Sequence, residues 1–234
     1  MKGDASKLLR YMDGSGTRFI IPVYQRNYDW KIEHCRQLFD DLKKVIENNR
    51  ESHFFGSIVS VGNPGGNAAE LLIIDGQQRI TTVSLLLLSI VNLLKRGILS
   101  DSQGNLADRL TNTYLLDPYQ PEEKKVKLKP IKDDQDAFLK LFENTDELDT
   151  TSNVTCNYLY FYTRIKKEYE EGVGLGADEL FRTIEALEVI SISLDPRTDD
   201  AQLIFESLNS TGLDLSEGDK IRNYMLMDLD SSIQ

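Results

Sequence analysis

Cysteine and histidine are scarce in this sequence, with two of each among 234 residues. Cys35 and Cys156 lie far apart and show no CxxC spacing, so neither a disulfide framework nor a zinc site is indicated, and a reducing cytoplasm is the expected compartment. The chain also lacks an uninterrupted apolar run of the roughly 20 residues that span a bilayer. Its most apolar stretch, residues 83–94, is broken by Ser84, Ser89 and Asn92 and reads as a buried core helix. No signal-peptide pattern precedes it, so a cytoplasmic protein with no membrane partner is expected. Basic residues are in the minority: 27 Lys and Arg against 38 Asp and Glu give a net charge of −11. Such a surface has no overall attraction for a polyanion, so any contact with DNA must run through a local patch or another domain.

What is present fits an ordinary globular protein. A hydrophobic fraction of 40% and a charged fraction of 28% supply a core and a solvated surface. The length exceeds the commonest single-domain size, and the composition turns more polar at residues 100–104. Two units follow as an expectation: a core over 1–99 and a mainly helical extension with short strands over 100–234.

The apolar pattern gives the elements. Residues 18–21 read as a short strand stopped by Pro22, which opens a loop through Tyr28. Residues 31–48 carry apolar side chains three and four apart, an amphipathic helix with Asp29 as its candidate N-cap. Residues 54–61 and 70–74 flank Asn63-Pro64-Gly65-Gly66-Asn67 and predict a hairpin. A helix is expected from about residue 80 to 96, closed by Gly97. Further on, residues 125–129 alternate like an edge strand, residues 133–142, 153–171 and 179–187 read as helices, and 189–194 as a strand. Two more helices, 199–208 and 216–229, complete the pattern, the second opened by Ser216 and Asp219 as a capping box.

Asp75-Gly76-Gln77-Gln78-Arg79, followed by Thr81 and Thr82, stands at a strand-to-helix junction. Free N–H groups at a helix start stabilise an anion, Arg79 adds a permanently charged fork, and Gly76 permits close backbone approach. Phosphate suits this set. The plainer alternative pairs Arg79 with Asp75, uses a threonine as a cap, and leaves the glutamines solvated. Tyr24, Tyr28 and Trp30 are read either as packing or as a surface for a base, with Tyr24 the one retained. Glu206 and Asn209, three apart, either belong to a helix end or reach the same ligand. Lys124 to Lys129 is basic, as edge strands often are, and a DNA contact there stays open.

Three segments carry a resemblance. Residues 21–30 (Ile-Pro-Val-Tyr-Gln-Arg-Asn-Tyr-Asp-Trp), 53–59 (His-Phe-Phe-Gly-Ser-Ile-Val) and 73–82 (Ile-Ile-Asp-Gly-Gln-Gln-Arg-Ile-Thr-Thr) resemble, in order, the hallmark segments of the GmrSD-type restriction endonuclease N-terminal domain. Residues 204–216 and 219–223 look like that family's C-terminal signature. The resemblance implies an α+β fold with a ParB/sulfiredoxin-like small mixed sheet and a helical extension. It also implies binding and hydrolysis of a nucleoside triphosphate, tied to defence against modified phage DNA.

Carried onto this chain, the implied catalytic set is Asp75, Gln77, Gln78 and Arg79. Tyr24, Gln25, Arg26, Gly76, Arg79, Thr81, Thr82 and Asn209 are the implied nucleotide contacts. A Mg2+ ion bridging phosphates is expected, with Asp75 and Glu206 as its candidate ligands. An HNH-type nuclease domain or subunit is the implied partner, since His34 and His53 do not stand in such a setting. Homodimerisation is left open. The alternative is a binding module that senses nucleotide or modified DNA without turnover.

Overall fold

The computed structural model of the chain describes residues 2–62, 70–143, 148–195, 197–199 and 204. Its strands are β1 (Lys2–Lys7), β2 (Arg18–Ile20), β3 (His53–Gly62), β4 (Glu70–Asp75), β5 (Leu128–Lys129) and β6 (Leu187–Leu194). Its α-helices are α1 (Leu8–Met12), α2 (Ile32–Glu47), α3 (Gln77–Lys95), α4 (Leu106–Leu110), α5 (Glu122–Lys125), α6 (Lys132–Lys140), α7 (Asn153–Glu170) and α8 (Ala177–Glu185). A π-helical turn, Thr111–Leu115, follows α4. The fold is α+β, as the sequence predicts.

All six strands join one mixed sheet in the order β1-β6-β3-β4-β2-β5. The hairpin expected between β3 and β4 is antiparallel, β2 runs parallel to β4 and to β5, and β6 runs parallel to β3. β1 was not foreseen, because Lys2 to Lys7 is polar and mostly exposed; it pairs antiparallel with β6 at the sheet edge. At the other edge β5 holds two residues rather than five, since Lys124 and Lys125 belong to α5. β5 and β6 come from beyond residue 100, so the sheet crosses the composition change at that point.

The period of two along β3 and β4 divides the sheet into two faces. Ile58 and Ile73 point to the large core shared with α2, α3, α7 and α8. Val59, Val61, Ile74 and Leu194 point the other way, where Ile204, a helical residue, packs on them. α3 is the spine of the first core: Ile80, Val83, Leu85, Leu86, Leu87 and Ile90 are all fully buried. By length and composition α3 could cross a membrane, but 89% of that window is enclosed within the protein. It is a core helix, as read from the sequence. Among its buried polar side chains, Ser89 Oγ donates to Leu85 O and Asn92 Nδ2 to Leu141 O and the Tyr158 hydroxyl.

Truncating the middle of this spine leaves a cavity on every side. Leu85→Ala should lower unfolding free energy by about 2–5 kcal/mol in urea titrations; a loss below about 1 kcal/mol would show that α3 is not the centre of the core.

Candidate functional site

The segment 75–82 sits where β4 ends and α3 begins, at the same end of the sheet as the loop that leaves the parallel strand β2. α3 starts at Gln77, three residues earlier than expected, so Gln77, Gln78 and Arg79 form its first turn. Gly76 is its N-cap in the left-handed region, φ 95°. A Cβ at that glycine would stand 3.0 Å from Ser57 O and 3.1 Å from Ile58 Cα, both backbone atoms of β3. No side chain caps the helix start, which leaves its first N–H groups and their partial positive charge available to an anion.

Two bulges aim the polar groups. β4 pairs Asp75 with Val59 but Ile73 with Ser60, so Ile74 is the extra residue just before the turn. β3 pairs Phe54 with Glu188 and Gly56 with Val189, so Phe55 is extra there. Such insertions bend a strand and redirect side chains. Gly56 has φ 112°, and a Cβ added to it would lie 2.6 Å from Arg79 Nε and 2.9 Å from Arg79 Cζ. The guanidinium therefore rests against bare backbone. Arg79 also donates to Ser57 O at 3.1 Å, and its Nη1 lies 3.7 Å from Asp75 Oδ2. The Ser57 hydroxyl stands 3.5 Å from the same carboxylate oxygen. The pairing of Asp75 with Arg79 thus exists, loosely, with both side chains over a quarter exposed.

Gln78 does something the sequence did not reveal. Its Oε1 accepts from the backbone N–H groups of Asp29 at 2.9 Å and Trp30 at 3.1 Å, and its Nε2 donates to Asn27 O at 3.2 Å. Its carboxamide is committed to holding the loop. Gln25, 2% exposed, ties the same loop to β4 by donating to Ile74 O at 2.9 Å. Thr82 is fully buried: its hydroxyl donates to Gln78 O, accepts from the Tyr28 hydroxyl at 2.7 Å, and so contributes from behind the site. Tyr28 in turn accepts from Asn157 Nδ2 at 2.9 Å. These directions are forced, because Thr82 has one proton and spends it on the carbonyl.

The helix α7 and the start of α6 complete the clamp. Asn157 Nδ2 donates to Trp30 O at 2.7 Å, Asn153 Nδ2 to Tyr28 O at 3.2 Å, and Asp134 Oδ2 accepts from Tyr28 N at 2.6 Å. Burial pushes the Asp134 carboxyl above the usual carboxylate range, and burial likewise raises the Tyr24 phenol. Asp29, expected to cap α2, instead pairs with Lys31 at 2.8 Å, and Lys31 is the N-cap. Trp30 stacks on His34 and meets Phe55 edge-on.

The structure thus brings Gln25, Asp75, Gly76, Gln77, Gln78, Arg79 and Thr82 together with Tyr24 and Arg26 on the adjoining loop. Gln25, Gln78 and Thr82 face inward as fasteners. Gln77 makes no side-chain hydrogen bond among the described residues, and Arg26, half-buried, has no carboxylate within ion-pair distance among them. Thr81 is buried beside this turn. Glu206 and Asn209 lie outside the described residues, as do the elements expected over 205–229. Among the described residues no group of three or more His, Cys, Asp or Glu could hold a metal ion; Asp75 alone supplies a carboxylate here. Gly56, Ser57, Asp134, Asn153 and Asn157 were not singled out from the sequence. One signal was there: Asn157 lies in the apolar stripe of α7, next to Tyr158, where a buried amide needs a partner.

Residues 7–226 match the family described as GmrSD restriction endonuclease, N-terminal domain. No curated protein matches the chain.

Two substitutions separate these roles. Gly56→Ala should displace the Arg79 guanidinium and cost more stability than Gly97→Ala, where φ is also positive, 67°, but nothing lies within 4 Å of the new Cβ; thermal denaturation of both proteins checks this, and equal losses would remove the packing role. Gln78→Ala should cost about 1 kcal/mol, because two part-buried N–H groups lose their acceptor, with faster amide exchange at Asp29 and Trp30.

Proposed function

Since the chain belongs to the family of GmrSD restriction endonuclease N-terminal domains, and so to a restriction system that defends against phage, we propose that it binds and hydrolyses a nucleoside triphosphate at residues 75–79 and that the nucleotide state governs a partner nuclease of the HNH type. The observation that carries this reading is the placement of Arg79, a fixed guanidinium beside the uncapped first turn of a 19-residue helix.

Phosphoryl transfer asks a protein mainly for positioning and charge stabilisation. Arg79 and Arg26 provide cations for the phosphates, and the N–H groups of the first turn, opened by Gly76, provide donors. With the Gln78 amide engaged by the loop, Gln77 is the glutamine left to orient an attacking water. Gln78, Gln25 and Thr82 act by holding Tyr24 and Arg26 in place, and Tyr24 is the proposed contact for the base. Thr81 and Asn209 complete the proposed nucleotide contacts.

Mg2+ is the proposed cofactor. It is commonly bound through one or two carboxylates together with phosphate oxygens, and Asp75, the carboxylate of this turn, fits that habit, with Glu206 as the proposed second. Bound there, the ion would neutralise charge on the phosphates. The second reading, a sensor that binds nucleotide without turnover, draws support from the commitment of Gln78, which removes one of the two amides available to a water.

Phosphate release from each common ribonucleoside triphosphate with Mg2+, with calorimetric binding alongside, tests the proposal. Arg79→Ala should lower turnover on the order of 100-fold. Binding without release in the wild-type chain would favour the sensor, and absence of both would overturn the nucleotide reading.

A further inference from the structure

The lysine-rich stretch 124–129 divides into separate fates. Lys124 pairs with Glu70 at 2.9 Å and Lys125 with Glu122 at 2.9 Å. Lys127 is buried and donates to the backbone carbonyls of Gly14 and Thr113. Lys129 has no ion pair among the described residues, and neither does Lys132. These two rim a groove of about 380 Å³ on the sheet face opposite α3.

Register explains the grouping. Ile20 is the partner of both Leu72 and Lys129, so all three side chains emerge on one face. Ile20, Val23 and Leu72 form apolar wall, and the lining's polar side chains are Lys129, Lys132 and Gln135, with no carboxylate. The volume lies within the range of small-ligand pockets, which begin near roughly 300 Å³. In a chain of net charge −11, two ammonium groups with no ion pair among the described residues stand over an apolar floor and favour an anion with an apolar body.

We propose that this groove receives one nucleotide of a DNA strand, its base against Ile20, Val23 and Leu72 and its two flanking phosphates on Lys129 and Lys132. Two ammonium groups match two singly charged phosphodiesters. A free triphosphate concentrates its charge on one chain of phosphates and is better served by an arginine fork or a metal, which the lining lacks. The match to a restriction endonuclease domain makes DNA the polyanion at hand. Val23 immediately precedes Tyr24, and Gln25 is bonded to Ile74, so an occupant bears directly on the loop that frames residues 75–79. This inference stands whether or not that turn hydrolyses nucleotide.

The test is fluorescence anisotropy of a short labelled single-stranded DNA with the whole chain, across a salt series. Three proteins are compared with wild type: Lys129→Gln with Lys132→Gln, Gln135→Trp to fill the groove without changing charge, and Lys166→Gln with Lys167→Gln as a charge-matched control on α7. Far-UV circular dichroism checks that each is folded. The groove pair should weaken binding about fivefold or more and reduce the log–log salt slope by about 1.4, two phosphate contacts at roughly 0.7 each. Gln135→Trp should weaken binding and the control pair should leave it within about twofold. Equal losses in the two lysine pairs, unchanged binding in Gln135→Trp, no binding by wild type at low salt, or equally effective competition by a free nucleoside monophosphate would each overturn the proposal.

Discussion

The carboxamide of Gln78 is the contact on which the site's geometry depends. It stands in the first turn of α3, yet all three of its hydrogen bonds go to the backbone of residues 27–30. An exposed loop with unpaired backbone groups would ordinarily sample many conformations. Here its N–H and C=O groups are met by Gln78, Asp134, Asn153 and Asn157, and its tyrosine is locked into a run of directed hydroxyl bonds ending on the Gln78 carbonyl. The helix start and the loop therefore fix one another. Because Asn153 and Asn157 come from α7, the site is built from both sides of residue 100.

That mutual fixing explains how an acidic protein can keep a small cationic site ready. Arg79 has its guanidinium laid on the bare backbone of Gly56, where any larger residue would displace it. The bulge at Phe55 makes this approach, and the bulge at Ile74 sets the direction of Asp75. Both are strand irregularities one residue long, placed where β3 and β4 reach the helix start. Strain and close packing at such positions are tolerated because the core beneath, α3 against the sheet, is continuous.

Much of this was legible in the sequence. Periodicity located α2, α3, α7 and the β3–β4 hairpin, because their apolar residues recur with the spacing of the element. β1 was not legible, since a polar edge strand is specified by its partner β6 and not by its own pattern. The start of α3 was misplaced because Gln77, Gln78 and Arg79 are polar and read as turn, although polar residues are common in the first turn of a helix. The same polarity hid the division of labour between the two glutamines: identical side chains, adjacent in sequence, differ only in what the fold puts opposite them. Gly56 stood out only as a member of the resembling segment 53–59; its role was not legible, because it depends on an arginine 23 positions away and on a bulge that only the register reveals.

These contacts assemble the site before any ligand arrives. Amide hydrogen exchange, followed with and without nucleoside triphosphate and Mg2+, tests this most directly. Tyr28, Asp29 and Trp30 should already be protected in the free protein, with new protection on ligand addition confined to the first turn of α3. Exchange of those three amides at the rate of an open loop, with protection appearing only when nucleotide is added, would contradict it.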